Sequence, residues 1–140
     1  MATILAHIAV KPGHAAAFEG IARAMYAASH GLEQGLVRYE YWRAEAAERY
    51  YCLLAFDDYR GFLDHQASAH HEAAAAPLMD LIADLRLEWL DPVPDASPLG
   101  ATRQQAIAAD ASDIVSRYAE MFPVAIARWW EPLRAALPVG

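Results

Sequence analysis

The apolar positions along this chain change period several times, and each change marks an element. Residues 3–10, TILAHIAV, are a short, partly β-branched apolar run that stops at Lys11-Pro12-Gly13, which predicts a strand. Over residues 14–30 the spacing becomes three and four. Phe18, Ile21, Ala22, Met25 and Ala28 or Ser29 form one stripe of a helix, with Gly31 as its expected C-terminal cap. Residues 36–43, LVRYEYWR, return to alternation, and residues 49–56, RYYCLLAF, follow after the short link AEAAE, so a hairpin is expected. Residues 57–66 predict a short helix. Ser68 caps a second one that runs to about residue 84, with Pro77 as a kink or break within it. Residues 85–90, LRLEWL, alternate as a fourth strand that DPVP ends.

The order β-α-β-β-α-β predicts a ferredoxin-like α+β fold with one four-stranded antiparallel sheet. Its helices cover one face only. Yet the strands are apolar on both sides: Tyr50, Cys52, Leu54 and Phe56 alternate with Tyr51, Leu53 and Ala55. At roughly 25 cal/mol per Å2, leaving the second face wet would forgo several kcal/mol, so a second copy packed sheet to sheet is the expected cover. Residues 1–92 are the expected domain. Residues 93–140 are expected to be a Pro-rich linker followed by a helical extension. In that tail, Ile107, Ile114, Val115, Tyr118 and Met121 predict one amphipathic helix, and a shorter helical piece with Trp129-Trp130 follows Pro123. Exposed apolar residues of this kind need burial, on the domain or on a partner subunit.

Composition narrows the function classes. The chain has 140 residues, a net charge of -7 and no cluster of Lys or Arg, which argues against nucleic acid or an anionic membrane surface. No run of 18 apolar residues predicts a membrane span. The single cysteine, Cys52, excludes an internal disulfide, and with no signal-peptide pattern the expected location is the cytoplasm. Phosphate loops, flavin or nicotinamide fingerprints and nucleophilic triads are absent, so no cofactor is expected.

Candidate chemistry lies mainly in histidines and aromatics. His65, His70 and His71 cluster within DHQASAHHEAAAAP. On one helix, residues 65 and 70 point about 140° apart and neighbours about 100° apart, poor geometry for shared metal ligation. A break at Ala67-Ser68 would bring His65 and His70 together, but no cysteine and no evident carboxylate completes a set, so no metal is expected. The alternatives are helix-end hydrogen bonding or a base at a cavity mouth. His7, mid-strand opposite Ile4, Ile8 and Val10, points into the space between paired sheets, either satisfied by a tyrosine or acting as a base. Tyr39, Tyr41, Trp42, Tyr50 and Tyr51 suit a pocket for a flat ring or a dimer interface. Arg38 and Glu40 suit a cross-strand or intersubunit ion pair, and Cys52 a small buried hydrophobe.

The strand ends KPG and LAF and the segment DHQASAHHEAAA resemble the antibiotic biosynthesis monooxygenase family, which includes small quinol monooxygenases. Phe56, Asp57-Asp58, His65, Ser68 and His70 stand in the order and spacing of its motif, and the resemblance covers about residues 3–92. It implies a homodimeric α+β barrel and oxygenation of a hydroxylated aromatic or quinol without a cofactor. The departures are Phe56 where many members have Trp and Leu54 where Glu is common. The positions used by haem-degrading relatives hold Ala6, His65 and Ala75, so haem degradation is not implied. The expected catalytic residues are therefore His7 and His65. The expected substrate contacts are Tyr39, Tyr51, Phe56 and His70. The competing reading is a non-catalytic binding or structural barrel.

Overall fold

A computed structural model describes residues 1–93 and 95–132. Its elements are β1 (Ala2–Val10), α1 (Ala15–Leu32), β2 (Leu36–Arg43), β3 (Arg49–Phe56), α2 (Tyr59–Ala67), α3 (Ala69–Leu81), β4 (Ile82–Leu90) and α4 (Asp113–Met121). The strands pair antiparallel in the order β2-β3-β1-β4, the ferredoxin-like arrangement the pattern predicts.

Alternation decides the two faces. Ile4, Ala6, Ile8, Tyr50, Cys52, Leu54 and Phe56 point to one side and pack with Phe18, Ala22 and Met25 of α1 and Phe62 and Leu63 of α2. Leu5, His7, Tyr51 and Leu53 occupy the other side, where no helix of the described residues lies. The turn into α1 uses Gly13 at φ 80°, a conformation that favours glycine.

Several boundaries differ from the sequence expectation. The first helix runs through Gly31 and ends at Glu33, whose N–H bonds the Ser29 carbonyl at 3.0 Å. Pro77 lies inside α3 without ending it. That helix stops at Leu81 rather than near 84, because β4 pairs with β1 back to Ile82 opposite Val10, past an irregularity at Ala9/Val10.

The tail departs most. Residues 101–107 form no helix despite their helix formers. Their polar groups serve the sheet and α2 instead. Thr102 is fully buried: its Oγ1 accepts from the Thr3 N–H at 3.1 Å and donates to the Leu90 carbonyl at 2.6 Å. Arg103 N–H bonds the Met1 carbonyl at 3.0 Å, and Gln105 Oε1 accepts from the Tyr59 N–H at 2.8 Å. The helix expected in this segment forms only from Asp113, capped by Ser112, and packs Ile114, Val115 and Tyr118 against the core. Beyond Pro123, Trp129 is 71% exposed, while Trp130 is half-buried and donates Nε1–H to Asp91 Oδ2 at 2.9 Å. The rest of the expected second helical piece lies outside the described residues.

Candidate functional site

Ser68 sets the local geometry. Its backbone is extended (φ -66°, ψ 148°). It ends α2 by donating its N–H to the His65 carbonyl, and it starts α3 by accepting the His71 N–H on Oγ. The helix break turns His70 back toward His65, and the one-helix spacing argument against a shared site does not hold. A carboxylate also completes the group. His65 Nδ1 lies 2.9 and 3.0 Å from the two oxygens of Glu33, and His70 Nε2 lies 2.7 Å from Oε1. The Ser29 and Ser68 hydroxyls are each 3.2 Å from the same His70 nitrogen. A carboxylate only accepts, so in this arrangement His65 Nδ1 and His70 Nε2 carry the hydrogens.

Glu33 is the residue the sequence reading overlooked. It sits at the C-terminus of α1, where the helix dipole disfavours negative charge. An acidic residue at that position needs a compensating partner, which is the signal that could have found it. Burial alone would raise its pKa, but the hydrogen bond and charge of His65, with help from Ser29 and His70, hold it at about 2. His71 lies beside the group, its ring 5.0 Å from that of His65. Burial, then the neighbouring His65, push its pKa down to about 4. Its Nδ1 is buried with no hydrogen-bond partner among the described residues.

Tyr39 and Phe56 join His65 on the helix side of the sheet, with ring centroids 5.0 and 5.3 Å away. The Tyr39 hydroxyl meets that of Tyr41 at 2.8 Å, and burial raises both phenols well above their usual range. His65 is only 1% exposed, so its ring is packed out of reach of an organic substrate.

His7 and Tyr51 lie on the opposite face, rings edge to face at 5.5 Å. The sheet therefore separates the two expected catalytic histidines: His7 and Tyr51 lie on one face, Tyr39 and His65 on the other. His7 Nε2 is 3.0 Å from Glu88 Oε2 and 2.9 Å from Arg86 Nη2. Arg38 and Glu40 pair at 3.1 Å within their own strand, not across strands.

Two hollows flank these groups. One of about 370 Å3 is lined by His7, Arg49, Tyr50, Tyr51 and Asp84 near the end of the β2–β3 hairpin. A larger cleft of about 670 Å3 lies between α1 and β2, walled by Phe18, Tyr26, Tyr41, Trp42 and Tyr50. At its rim Arg43 grips Glu19 through two 2.7 Å bonds, and the Tyr50 hydroxyl adds a third at 3.0 Å.

The family model of antibiotic biosynthesis monooxygenase matches residues 1–77, more than half of the chain. The chain belongs to that family. Solved structures agree. PA3566 from Pseudomonas aeruginosa is 25% identical with a TM-score of 0.61, covering 66% of this chain and 93% of its own. A candidate antibiotic biosynthesis monooxygenase from Caulobacter crescentus CB15 is 26% identical with a TM-score of 0.62, covering 66% of this chain and 89% of its own. Rv0793 from Mycobacterium tuberculosis, at 18% identity, shares the fold with a TM-score of 0.63 over 69% of this chain and 98% of its own. A comparison with curated protein sequences finds no match. Both structures at 25–26% identity leave about a third of this chain without a counterpart. Among the described residues no helix is long and apolar enough to cross a membrane.

Proposed function

We propose that this member of the antibiotic biosynthesis monooxygenase family is a cytoplasmic, homodimeric, cofactor-independent monooxygenase acting on a quinol or similarly hydroxylated aromatic. The observation that carries the reading is His7. Of the two expected catalytic histidines it is the one an organic substrate can reach, and it borders a hollow within the size range of small-molecule sites. Arg86 only donates and Glu88 only accepts, so His7 Nε2 faces the guanidinium when unprotonated and the carboxylate when protonated. Both states of a proton-accepting base thus have a partner in place. Tyr51 and Arg49 lie beside it to orient a ring and a phenolate.

The chemistry balances without an external reductant. Neutral His7 takes a phenolic proton, and the quinolate passes one electron to O2. The radical pair joins at a ring carbon, and the resulting hydroperoxide loses water. Quinol and O2 become hydroxyquinone and water: four electrons leave the ring, one oxygen atom enters it and the other leaves as water. The chain's share is the base, the orientation and a water-poor cavity.

A second protomer supplies that cavity. Leu5, Trp42, Tyr51 and Leu53 give the helix-free face an apolar centre, and pairing two such faces would bury on the order of 2,000 Å2. Leu53→Lys places a charge at that centre and is expected to give monomers by sedimentation. A dimer that persists at micromolar concentration contradicts this interface. For the activity, oxygen uptake with a panel of quinols is measured for wild type and His7→Ala. Loss of about 100-fold or more in turnover, with the dimer intact, is expected for a base of this kind. Turnover unchanged in His7→Ala refutes its role.

The alternative is a binding module, and the α1–β2 cleft favours it. That cleft is the larger and more aromatic of the two hollows, yet no histidine or cysteine among the described residues lines it. Saturable binding of flat aromatics there, with no oxygen uptake above buffer for any quinol, selects this reading.

A further inference from the structure

We propose that Glu33, His65 and His70 form a binding site for a zinc-type divalent cation, on the opposite side of the sheet from His7 and separate from the oxygenation chemistry. Three observations meet here. The first is ligand chemistry. Two imidazole nitrogens and one carboxylate oxygen all lie within 4.8 Å of one another. Two histidines and a carboxylate are a donor set that zinc accepts, with a fourth position left open.

The second is charge. Glu33 is 13% exposed, and both of its ion-pair partners among the described residues are histidines. No lysine or arginine among those residues balances it. A largely buried carboxylate without a permanent cation is costly, and a bound dication supplies the missing charge.

The third is preorganisation. The ligands come from three helix ends: the C-terminus of α1, the last turn of α2 and the first turn of α3. Their backbones are fixed by the Ser68 double cap and by the Glu33 N–H bond to Ser29. Metal bonds of about 2.1 Å at tetrahedral angles put neighbouring donor atoms about 3.3 Å apart. The present 2.7 and 2.9 Å separations from Glu33 Oε1 need to open by about half an ångström, while the two imidazole nitrogens, within 4.8 Å of each other, settle to the same spacing. Binding moves the two ring hydrogens to the other nitrogens of each imidazole, so His65 coordinates through Nδ1 and His70 through Nε2. The hydroxyls of Ser29 and Ser68, 3.2 Å from His70 Nε2, stand ready to hold a water in the fourth position. His70, 18% exposed, marks the entry side.

The test uses untagged protein stripped with chelator and titrated with Zn(II) by calorimetry, with Co(II) absorption as a second readout. One ion per chain is expected, with a rise in melting temperature and visible Co(II) bands typical of a low-coordinate nitrogen and oxygen site. Glu33→Gln and His70→Ala should each weaken Zn(II) by more than the roughly 10–100-fold that loss of an outer hydrogen-bond partner costs. His14→Ala and His30→Ala, on exposed histidines outside the group, should leave it unchanged. Should Glu33→Gln fail to fold, His70→Ala decides the outcome alone. No saturable binding, or binding that survives His70→Ala, overturns the proposal and leaves the trio a hydrogen-bonded brace. Oxygen uptake with quinols is scored separately, so failure here does not bear on the His7 reading.

Discussion

Thr102→Val tests whether the tail is part of the folded unit or a tether. The substitution keeps the shape of the side chain and removes only its hydroxyl. In the wild type that hydroxyl accepts the Thr3 N–H and donates to the Leu90 carbonyl, both at a site with no solvent exposure. Valine leaves a buried donor and a buried acceptor without this partner. Each orphaned group costs about 1–3 kcal/mol, so the expected loss is about 3 kcal/mol. For a chain of this size that corresponds to a fall of about 10 °C in melting temperature. Thr102→Ser keeps the hydroxyl and loses one methyl group, with an expected cost of about 1 kcal/mol. The assay is urea unfolding followed by far-ultraviolet circular dichroism, with a thermal melt as a check. If Thr102→Val stays within about 0.5 kcal/mol of wild type, or if Thr102→Ser costs as much as Val, the hydrogen-bond argument is wrong.

Two further outcomes follow from local chemistry. Burial pushes the Cys52 thiol up, so it should ignore a thiol reagent such as Ellman's in the native protein and react once per chain after unfolding; stoichiometric labelling of the native protein within minutes would contradict its packing. The hydrogen bonds of Arg43, then Tyr50, hold Glu19 at about 2 against an ordinary 4.5, so its stabilising effect is complete above pH 4.5 and is lost as the pH falls toward 2. Glu19→Gln should be less stable than wild type at pH 6, with the gap in urea midpoint more than halved at pH 3 and closing toward pH 2, and a gap independent of pH refutes the assignment.

The pattern of apolar positions carried the sheet well because strand alternation is a local signal. Tyr50 to Phe56 reads as two faces from the sequence alone, and both faces are found. The tail failed for the opposite reason. Residues 101–107 have helix propensity, but Thr102, Arg103 and Gln105 gain partners in β1, β4 and α2 that no local rule encodes. The site divides in the same way. The break at Ser68 was legible as a cap, and with it the meeting of His65 and His70. Glu33 was not, because it reaches them from 32 and 37 residues away at the end of another helix. His7 was placed on the correct face by alternation, but that same alternation puts Tyr39 on the other side, and an argument from residue types alone merges the two.

The pinning of the first residues by the tail bears on the order in which the chain acquires its structure. Met1 and Thr3 meet residues 101–103 across 99 to 102 positions of sequence. Closing a loop of that length costs about 2 kcal/mol more entropy than closing a ten-residue one, and such contacts slow folding. During synthesis β1 emerges before the other three strands, yet the Thr3 amide waits until residue 102 has left the ribosome. A nascent chain that stalls near residue 95 holds all four strands and still lacks the hydroxyl that occupies the edge of its own beginning. Such a product would carry an exposed seam beside β1 and β4, a surface that chaperones and proteases recognise. Closure of that sheet edge is thereby tied to synthesis of residues 101–103.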